Sequence, residues 1–457
     1  MQTGSAHVRV DNHHPRTGLS HGDGHAHHGG ALAFPWRAAG LVATPSETSE
    51  TTPPCKQQAI AVLGSDWPEQ PEQPGEGRTM KIINVVGARP NFMKVAPVHL
   101  AMCARGLDAK LIHTGQHYDD NMSRVFFEQL GMPRPDENLG VGSCSHAVQT
   151  ARVMEAFEQV VLSHKPDLVM VAGDINSTVA CALVAQKLHI KVAHLEAGLR
   201  SRDMRMAEEV NRILTDQISD LLLTPSADAD DNLLREGIAA DKIHRVGNAM
   251  IDSLLGHLDA ARATGAVAAQ GLVKGGYILT TIHRAENVDD PQTCERVLRI
   301  LATASEDLPV LFPMHPRTQA RIKAFGLQPV VDAARDLRVV DPIGYLDFLA
   351  LQADAKVVLT DSGGIQEETT ALGVPCLTLR DNTERPITVT QGTNTIVGTD
   401  RKRILAELAT ILKGGRTDRT RGSVPELWDG HTAERVVDVV VAALGTTQDL
   451  DPFVVRA

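Results

Sequence analysis

Lys81-Ile-Ile-Asn-Val-Val-Gly-Ala-Arg-Pro90 reads as a short buried strand, a glycine turn and the opening of a helix. The run from Lys81 to Val86 is rich in β-branched side chains, which suits a strand covered on both faces. Gly87 ends it where a helical pattern begins. The same rhythm recurs downstream. Candidate strands are Ala109–His113, Asp167–Ala172, Lys191–His194, Tyr277–Ile282, Val310–Phe312, Lys356–Leu359 and Cys376–Leu379, with helical patterns between them. Such alternation implies parallel sheets with helices packed on both faces.

A break near Val246-Gly-Asn-Ala-Met250 divides two βα series. The expected fold class is therefore α/β, with two Rossmann-like domains facing each other across a cleft. The first spans 80–248 and the second 249–432. Ligands of open parallel sheets bind beyond the carboxyl ends of the strands, so the cleft is the expected site. Upstream, residues 1–79 differ in character. They hold a His-rich run (His21-Gly-Asp-Gly-His-Ala-His-His28) and Ser/Thr- and Pro/Glu/Gln-rich stretches. A segment so poor in apolar pattern buries too little surface to offset its ordering entropy, and disorder is expected. Its histidines lack the fixed geometry of a functional metal site. Met80 is itself a candidate translation start.

The 457 residues are 42% hydrophobic and 22% charged, enough for two domains with substantial cores. A net charge of −11 and only 3% aromatic residues argue against a nucleic-acid binder. The six cysteines form no CxxC pair, so reduced, buried thiols are expected rather than disulfides or zinc. No apolar run reaches the roughly 18–20 residues of a membrane span. A signal peptide's charged start and apolar core are also lacking. A cytoplasmic location without membrane insertion is the expectation.

Leu359-Thr-Asp-Ser-Gly-Gly-Ile-Gln-Glu-Glu368 carries the clearest phosphate signal. A strand runs into Ser362-Gly363-Gly364 and a helix follows, offering free N–H groups and partial positive charge to an anion. Glu367 or Glu368, one turn on, could accept from ribose hydroxyls. An ordinary strand-to-helix turn reads the same way. In Gly173-Asp-Ile-Asn-Ser-Thr178, Asp174 is an acid, a base or a helix N-cap. His194-Leu-Glu-Ala-Gly-Leu-Arg200 places Glu196 at another strand end, where packing explains it poorly. Met206-Ala-Glu-Glu-Val-Asn-Arg212 opens a helix, and Glu208 with Arg212 fits an exposed i,i+4 pair. Three carboxylates at the mouth of one sheet favour chemistry. Basic groups complement them: Arg89 and Lys94 flank the first turn, His283-Arg284 and His315-Pro-Arg317 end later strands, and Glu384-Arg-Pro386 follows another. Arginine's planar fork matches phosphate oxygens.

In this order, these motifs resemble the non-hydrolysing UDP-N-acetylglucosamine 2-epimerase family from Met80 to about residue 445. The resemblance implies a glycosyltransferase-B-type fold and a homodimer. It also implies that a final helix, 433–445, crosses back onto the first domain. Its implied reaction eliminates UDP across carbons 1 and 2 to a bound 2-acetamidoglucal, then adds UDP back with a proton on the opposite face. Asp174, Glu196 and Glu208 are the implied acid/base carboxylates. His283, Arg89, Lys94 and Ser362 would stabilise the departing diphosphate. His315, Arg317, Gly363, Gly364, Glu368 and Arg385 complete the expected UDP-sugar contacts, with no metal and no cofactor. Burial among carboxylates is expected to raise a pKa far enough for acid catalysis.

Two departures from the family pattern stand out. Gly-Ala-Arg-Pro-Asn replaces the common Gly-Thr-Arg-Pro-Glu in the first loop. Gln116-His117 matches a pair used for substrate activation in some members, but Tyr118-Asp119 follows where a second glutamine is expected. Rival readings are a 2-epimerase for a UDP-diacetamido uronic acid, a retaining UDP-sugar glycosyltransferase and a silent UDP-sugar sensor. The last two give no joint role to Asp174, Glu196 and Glu208.

Overall fold

The computed structural model describes residues 79–116, 131, 134–414 and 423–445. The expected disorder of residues 1–79 falls, apart from Thr79, outside the described residues, as does His117-Tyr118-Asp119. The first series comprises β1 (Lys81–Val86), α1 (Arg89–Ala104), β2 (Asp108–His113), β3 (Glu137–Asn138) and α2 (His146–His164). It continues with β4 (Leu168–Ala172), α3 (Asn176–Lys187), β5 (Lys191–Leu195), α4 (Ala207–Ile218), β6 (Leu221–Thr224), α5 (Ala227–Arg235) and β7 (Ile243–Arg245). Its seven strands are ordered β3-β2-β1-β4-β5-β6-β7, with every pairing parallel. The crossover from β3 back to β4 beside β1 makes a switch point, where adjacent loops diverge and leave a crevice.

After α6 (Ala249–Ala263) come β8 (Ile278–Thr281), α7 (Pro291–Ala304), β9 (Val310–Pro313), α8 (Pro316–Ala324) and β10 (Leu337–Val340). They lead into α9 (Tyr345–Ala353), β11 (Val357–Thr360), α10 (Gly363–Leu372), β12 (Cys376–Thr378), β13 (Asn394–Ile396) and α11 (Arg401–Leu412). This sheet is also wholly parallel, in the order β10-β9-β8-β11-β12-β13. Its switch point lies between β8 and β11. Both β4 and β11 are buried along their whole length, which is why their sequences show no polar alternation.

The final helix α12 (Thr432–Gly445) returns to the first sheet. Val436, Val437, Val440 and Leu444 share one core cluster with Val95, Val98 and Met102 of α1. Each such buried side chain contributes about 1.5–3 kcal/mol relative to exposure. Between the sheets, α6 is anchored by a consequence of Pro97. A proline inside α1 has no N–H for the Met93 carbonyl four residues earlier. The Ser253 hydroxyl of α6 donates to that oxygen at 2.6 Å, satisfying it within the core. Asp252, the preceding residue, accepts from the Ala433 N–H at the start of α12 at 2.7 Å. Gly247, at φ +97°, leads into α6. A Cβ there would lie 2.1 Å from the Leu427 carbonyl, so only glycine fits the crossing.

The thiols depart in part from expectation. Cys181, Cys294 and Cys376 are free and buried and Cys144 is free but exposed, whereas Cys103 is disulfide-bonded. A bridge needs proximity in space, which scattered spacing does not reveal. Among the described residues, no helix is long and apolar enough to cross a membrane.

Candidate active site

The first sheet contributes three strand ends. After β1, Asn91 ties two loops together: its Oδ1 accepts from the Ala88 N–H at 3.1 Å and its Nδ2 donates to the Ala172 carbonyl at 2.7 Å. The opening of α1 is thereby tied to the end of β4. One turn on, the buried Lys94 Nζ donates to Glu196 Oε2. The Arg89 side chain lies outside the described residues. Gly173, at φ +65°, follows β4; a Cβ there would come within 3.0 Å of Lys94 Nζ and 3.3 Å of Glu196 Oε2. Glycine thus leaves room for the ion pair.

Glu196 follows β5 at φ +72°, a left-handed conformation that costs a non-glycine residue of order 1–3 kcal/mol. Its N–H donates to the Leu223 carbonyl at 3.1 Å, fixing that geometry. The imidazole of His194, two residues earlier and fully buried, lies 2.8 Å from the Gly173 carbonyl and 2.6 Å from Asp216 Oδ1. The loops carrying Asp174 and Glu196 therefore share one buried brace.

Arg385, from the second sheet, reaches across to the same carboxylate. Its Nη2 lies 3.0 Å from Glu196 Oε1, its Nε 2.8 Å from Glu367 and its Nη1 2.5 Å from Glu384 Oε1. Burial pushes Glu196 upward, but Lys94 and Arg385 outweigh it and hold the carboxyl below the usual range. The expected rise from burial among carboxylates is not met at Glu196. In α10, burial instead pushes Glu367 and Glu368 each up to about 7. Glu384 is held low, since Arg385, Arg380 and Arg284 together overcome its burial.

Asp174 is half-buried with Oδ2 3.5 Å from Arg212 Nη2, and its carbonyl accepts from Asn211 Nδ2 at 2.9 Å. It does not cap α3, whose N-cap position is Ile175. Nor do Glu208 and Arg212 pair through their side chains. Glu208 is exposed, while Arg212 turns inward toward Asp174 and Glu209. Glu209, not Glu208, is the buried partner, and it also takes the N–H groups of Ser201 and Arg202.

A strand-to-helix turn forms at the start of α10, with Ser362 at the N-cap position and no side-chain capping bond. A Cβ on Gly363 would stand 2.5 Å from Arg385 Nη1 and 2.6 Å from Glu384 Oε1. The glycine makes room for these side chains rather than for a positive φ. On Gly364 a Cβ would meet only the flexible end of Met250, at 3.0 Å. Asp361, just before Ser362, accepts the N–H groups of His283 and Arg284 at 3.0 and 2.9 Å, and lies 3.1 Å from His283 Nδ1. It thereby fixes the β8 turn beside α10.

The imidazoles of His283 and His315 stand 5.9 Å apart. Arg317 is exposed and its guanidinium is engaged by Asp289. Glu368 is buried in α10. The site thus gathers Lys94, Glu196 and Arg385 directly, with Gly363 against Arg385 and Asp174 joined through Arg212. Sequence reasoning read Arg212 as an exposed pair with Glu208, counted Arg284 among the basic groups, and gave no role to Arg380 or Asp361. Asp361 adjoins the turn and Arg380 follows the β12 run, which is a faint signal at best. Among the described residues, no group of three or more His, Cys, Asp or Glu side chains is arranged to hold a metal.

Residues 101–441 match the family model for UDP-N-acetylglucosamine 2-epimerase. A UDP-N-acetylglucosamine 2-epimerase of Methanocaldococcus jannaschii is 42% identical over 366 residues, covering 79% of this chain and 99% of that one. A UDP-2,3-diacetamido-2,3-dideoxy-D-glucuronate 2-epimerase of Pseudomonas aeruginosa is 44% identical over 370 residues, 80% of this chain and 100% of its own. The crystal structure of the M. jannaschii UDP-GlcNAc 2-epimerase with UDP-GlcNAc and UDP superposes with a TM-score of 0.73 at 42% identity, covering 79% of this chain and 100% of that one. Two parallel α/β sheets whose loops meet at Glu196 and Arg385, and motifs matched over this length, have one common explanation: the chain belongs to the UDP-N-acetylglucosamine 2-epimerase family.

Proposed function

We propose that the protein interconverts UDP-N-acetylglucosamine and UDP-N-acetylmannosamine by elimination and re-addition of UDP. One observation carries this reading: a carboxylate from one sheet, Glu196, lies between Lys94 and a cation of the other sheet, Arg385, beside the Gly363 turn. A base takes the proton from carbon 2 as the C1–O bond breaks. The electron pair of that bond goes to the UDP phosphate, leaving a carbon 1–carbon 2 double bond in the glucal. UDP then adds back to carbon 1 while carbon 2 receives a proton on its other face. Asp174, Glu196 and Glu208 are the acid/base groups of this reading. His283, Arg89, Lys94 and Arg385 stabilise the departing diphosphate, which sits on Ser362, Gly363 and Gly364. His315, Arg317 and Glu368 complete the nucleotide contacts. No cofactor or metal is proposed.

The functional division is residues 80–248 with the returning 433–445 helix, and 249–432 as the UDP-binding half. The protein acts in the cytoplasm, as a homodimer, in supply of cell-envelope polysaccharide. An apolar groove of about 640 Å³ between α2, α3 and α4, lined by Ala147, Ala151, Met154, Ala207 and Val210, supports the dimer. Light scattering on the full chain would read its mass. The 44% identity to the P. aeruginosa enzyme favours a second substrate, the UDP-diacetamido uronic acid, and side-by-side assays separate the two. Proton NMR in heavy water tests the reaction itself. Deuterium should enter carbon 2 as UDP-N-acetylmannosamine forms, whereas release of free UDP and free sugar alone refutes the proposal.

A further inference from the structure

Arg212 is a buried cation without a close partner for its outer nitrogen. It sits on α4, one turn beyond Glu208, and is 2% exposed. Its Nε lies 3.4 Å from Glu209 and its Nη2 3.5 Å from Asp174, both longer than a charge-assisted hydrogen bond. Glu209 is committed elsewhere, to Ser201 and Arg202. The Nη1 nitrogen is buried and has no hydrogen-bond partner. Leaving a buried guanidinium donor unsatisfied is costly, and such groups call for an acceptor.

The surroundings say which acceptor. Arg212 is near enough to influence Glu196 of its own sheet and Glu384 of the other, so it borders the seam between them. On one side stands Asp174, assigned above to carbon 2. On the other stands the Arg385–Glu384 pair, against which Gly363 packs. Between carbon 2 and the nucleotide's anchoring turn lies the phosphate bonded to carbon 1. Cations also exceed anions along this seam. Lys94, Arg212, Arg284, Arg380 and Arg385 face Asp174, Glu196, Glu209 and Glu384, leaving one positive charge unmatched before Glu367 is counted. A diphosphate carries the charge that balances it.

We propose that Arg212 is a further substrate-binding and catalytic residue, whose Nη1 donates to the sugar-side phosphate of the UDP-sugar. This rests on the epimerase reading above. As the C1–O bond breaks, the electron pair moves to that phosphate oxygen, so the Arg212 contact strengthens in the transition state and its loss falls on kcat.

The test uses the full chain with R212Q and R212K, measuring kcat and KM for UDP-N-acetylglucosamine, UDP affinity by calorimetry and thermal melting. R212Q should lower kcat by about 10²–10³-fold with a melting curve close to the parent's. R212K, keeping the charge but not the fork, should recover at least about tenfold of that loss. An R212Q enzyme within about threefold of the parent in kcat overturns the proposal. Equal inactivity of both variants with a lowered melting temperature overturns it too, because a packing role then suffices. If the parent itself turns over neither candidate substrate, the epimerase reading fails. UDP affinity then decides Arg212 separately: about tenfold weaker binding by R212Q supports it and unchanged binding overturns it.

Discussion

Gly363→Ala isolates the anchoring turn from the stability of its helix. The substitution adds one methyl at the first position of α10, where φ is not positive and alanine is the better helix former by at most about 1 kcal/mol. Its Cβ, however, would stand 2.5 Å from Arg385 Nη1 and 2.6 Å from Glu384 Oε1. Arginine tips usually yield, but this one is buried and held at Glu196 and Glu367 as well. Moving it sacrifices at least one charge-assisted contact, worth about 1.5–3 kcal/mol. The helix gain offsets part of this, so folding should weaken by only about 1–2 kcal/mol.

UDP binding has no such offset, because the displaced guanidinium is the group proposed to meet the diphosphate. The same 1.5–3 kcal/mol predicts about 10–150-fold weaker UDP affinity. Calorimetric titration with UDP and a thermal melt on the same samples measure both. Gly256→Ala is the control, since it lies inside α6 and its methyl would meet nothing within 4 Å. Equal effects of the two variants, or G363A binding UDP within about twofold of the parent, would refute the reasoning.

Glu196→Gln keeps the shape between Lys94 and Arg385 but removes the base. Turnover should fall by at least about 10²-fold with UDP affinity largely retained, and unchanged turnover in the NMR assay defeats the assignment. Glu368→Gln reads a raised carboxyl. Its pKa of about 7 in the fold exceeds the ordinary 4.5, so the protonated form stabilises the fold below 4.5 and that contribution is lost as pH rises through 7. E368Q should therefore gain up to about 3 kcal/mol over the parent at pH 8 and little at pH 4, in denaturant melts; a pH-independent difference contradicts it. Ser253→Ala leaves the Met93 carbonyl without its donor inside the core. A loss of about 1–3 kcal/mol is expected in the same melts, and none at all would mean that Pro97 leaves no oxygen in need.

The two-sheet architecture was legible because its central strands are apolar on both faces. Leu168–Ala172 and Val357–Thr360 are buried throughout, and each stands out between helical patterns. Edge strands carry no such mark. Glu137–Asn138, Ile243–Arg245, Leu337–Val340 and Asn394–Ile396 are short and only partly buried, and they are strands because a neighbour offers them a ladder. Among the candidate site residues, Ser362–Gly364 and Glu196 were readable from their placement after strands. Arg212 was not, because its position beside Glu208 satisfies the commonest helix-surface pattern equally well. Only the fold turns its guanidinium inward and Glu208 outward.

Electrostatics was the least legible part, and Glu196 and Glu367 show why. Both are buried, and they belong to one cluster around Arg385, yet they shift in opposite directions. Burial opposes ionisation in each. Glu196 meets two cations, Lys94 and Arg385, which win. Glu367 is ion-paired with Arg385 and feels Lys94 less, while the negative charge of Glu196 nearby opposes its ionisation, so burial wins there. The deciding cations come from positions 102 residues before and 189 residues after Glu196. Counting neighbouring carboxylates along the chain therefore predicts the wrong sign. What sets it is the number of cations that two separate sheets bring to one carboxylate. A site divided between domains can hold one glutamate ionised and another protonated at the same pH.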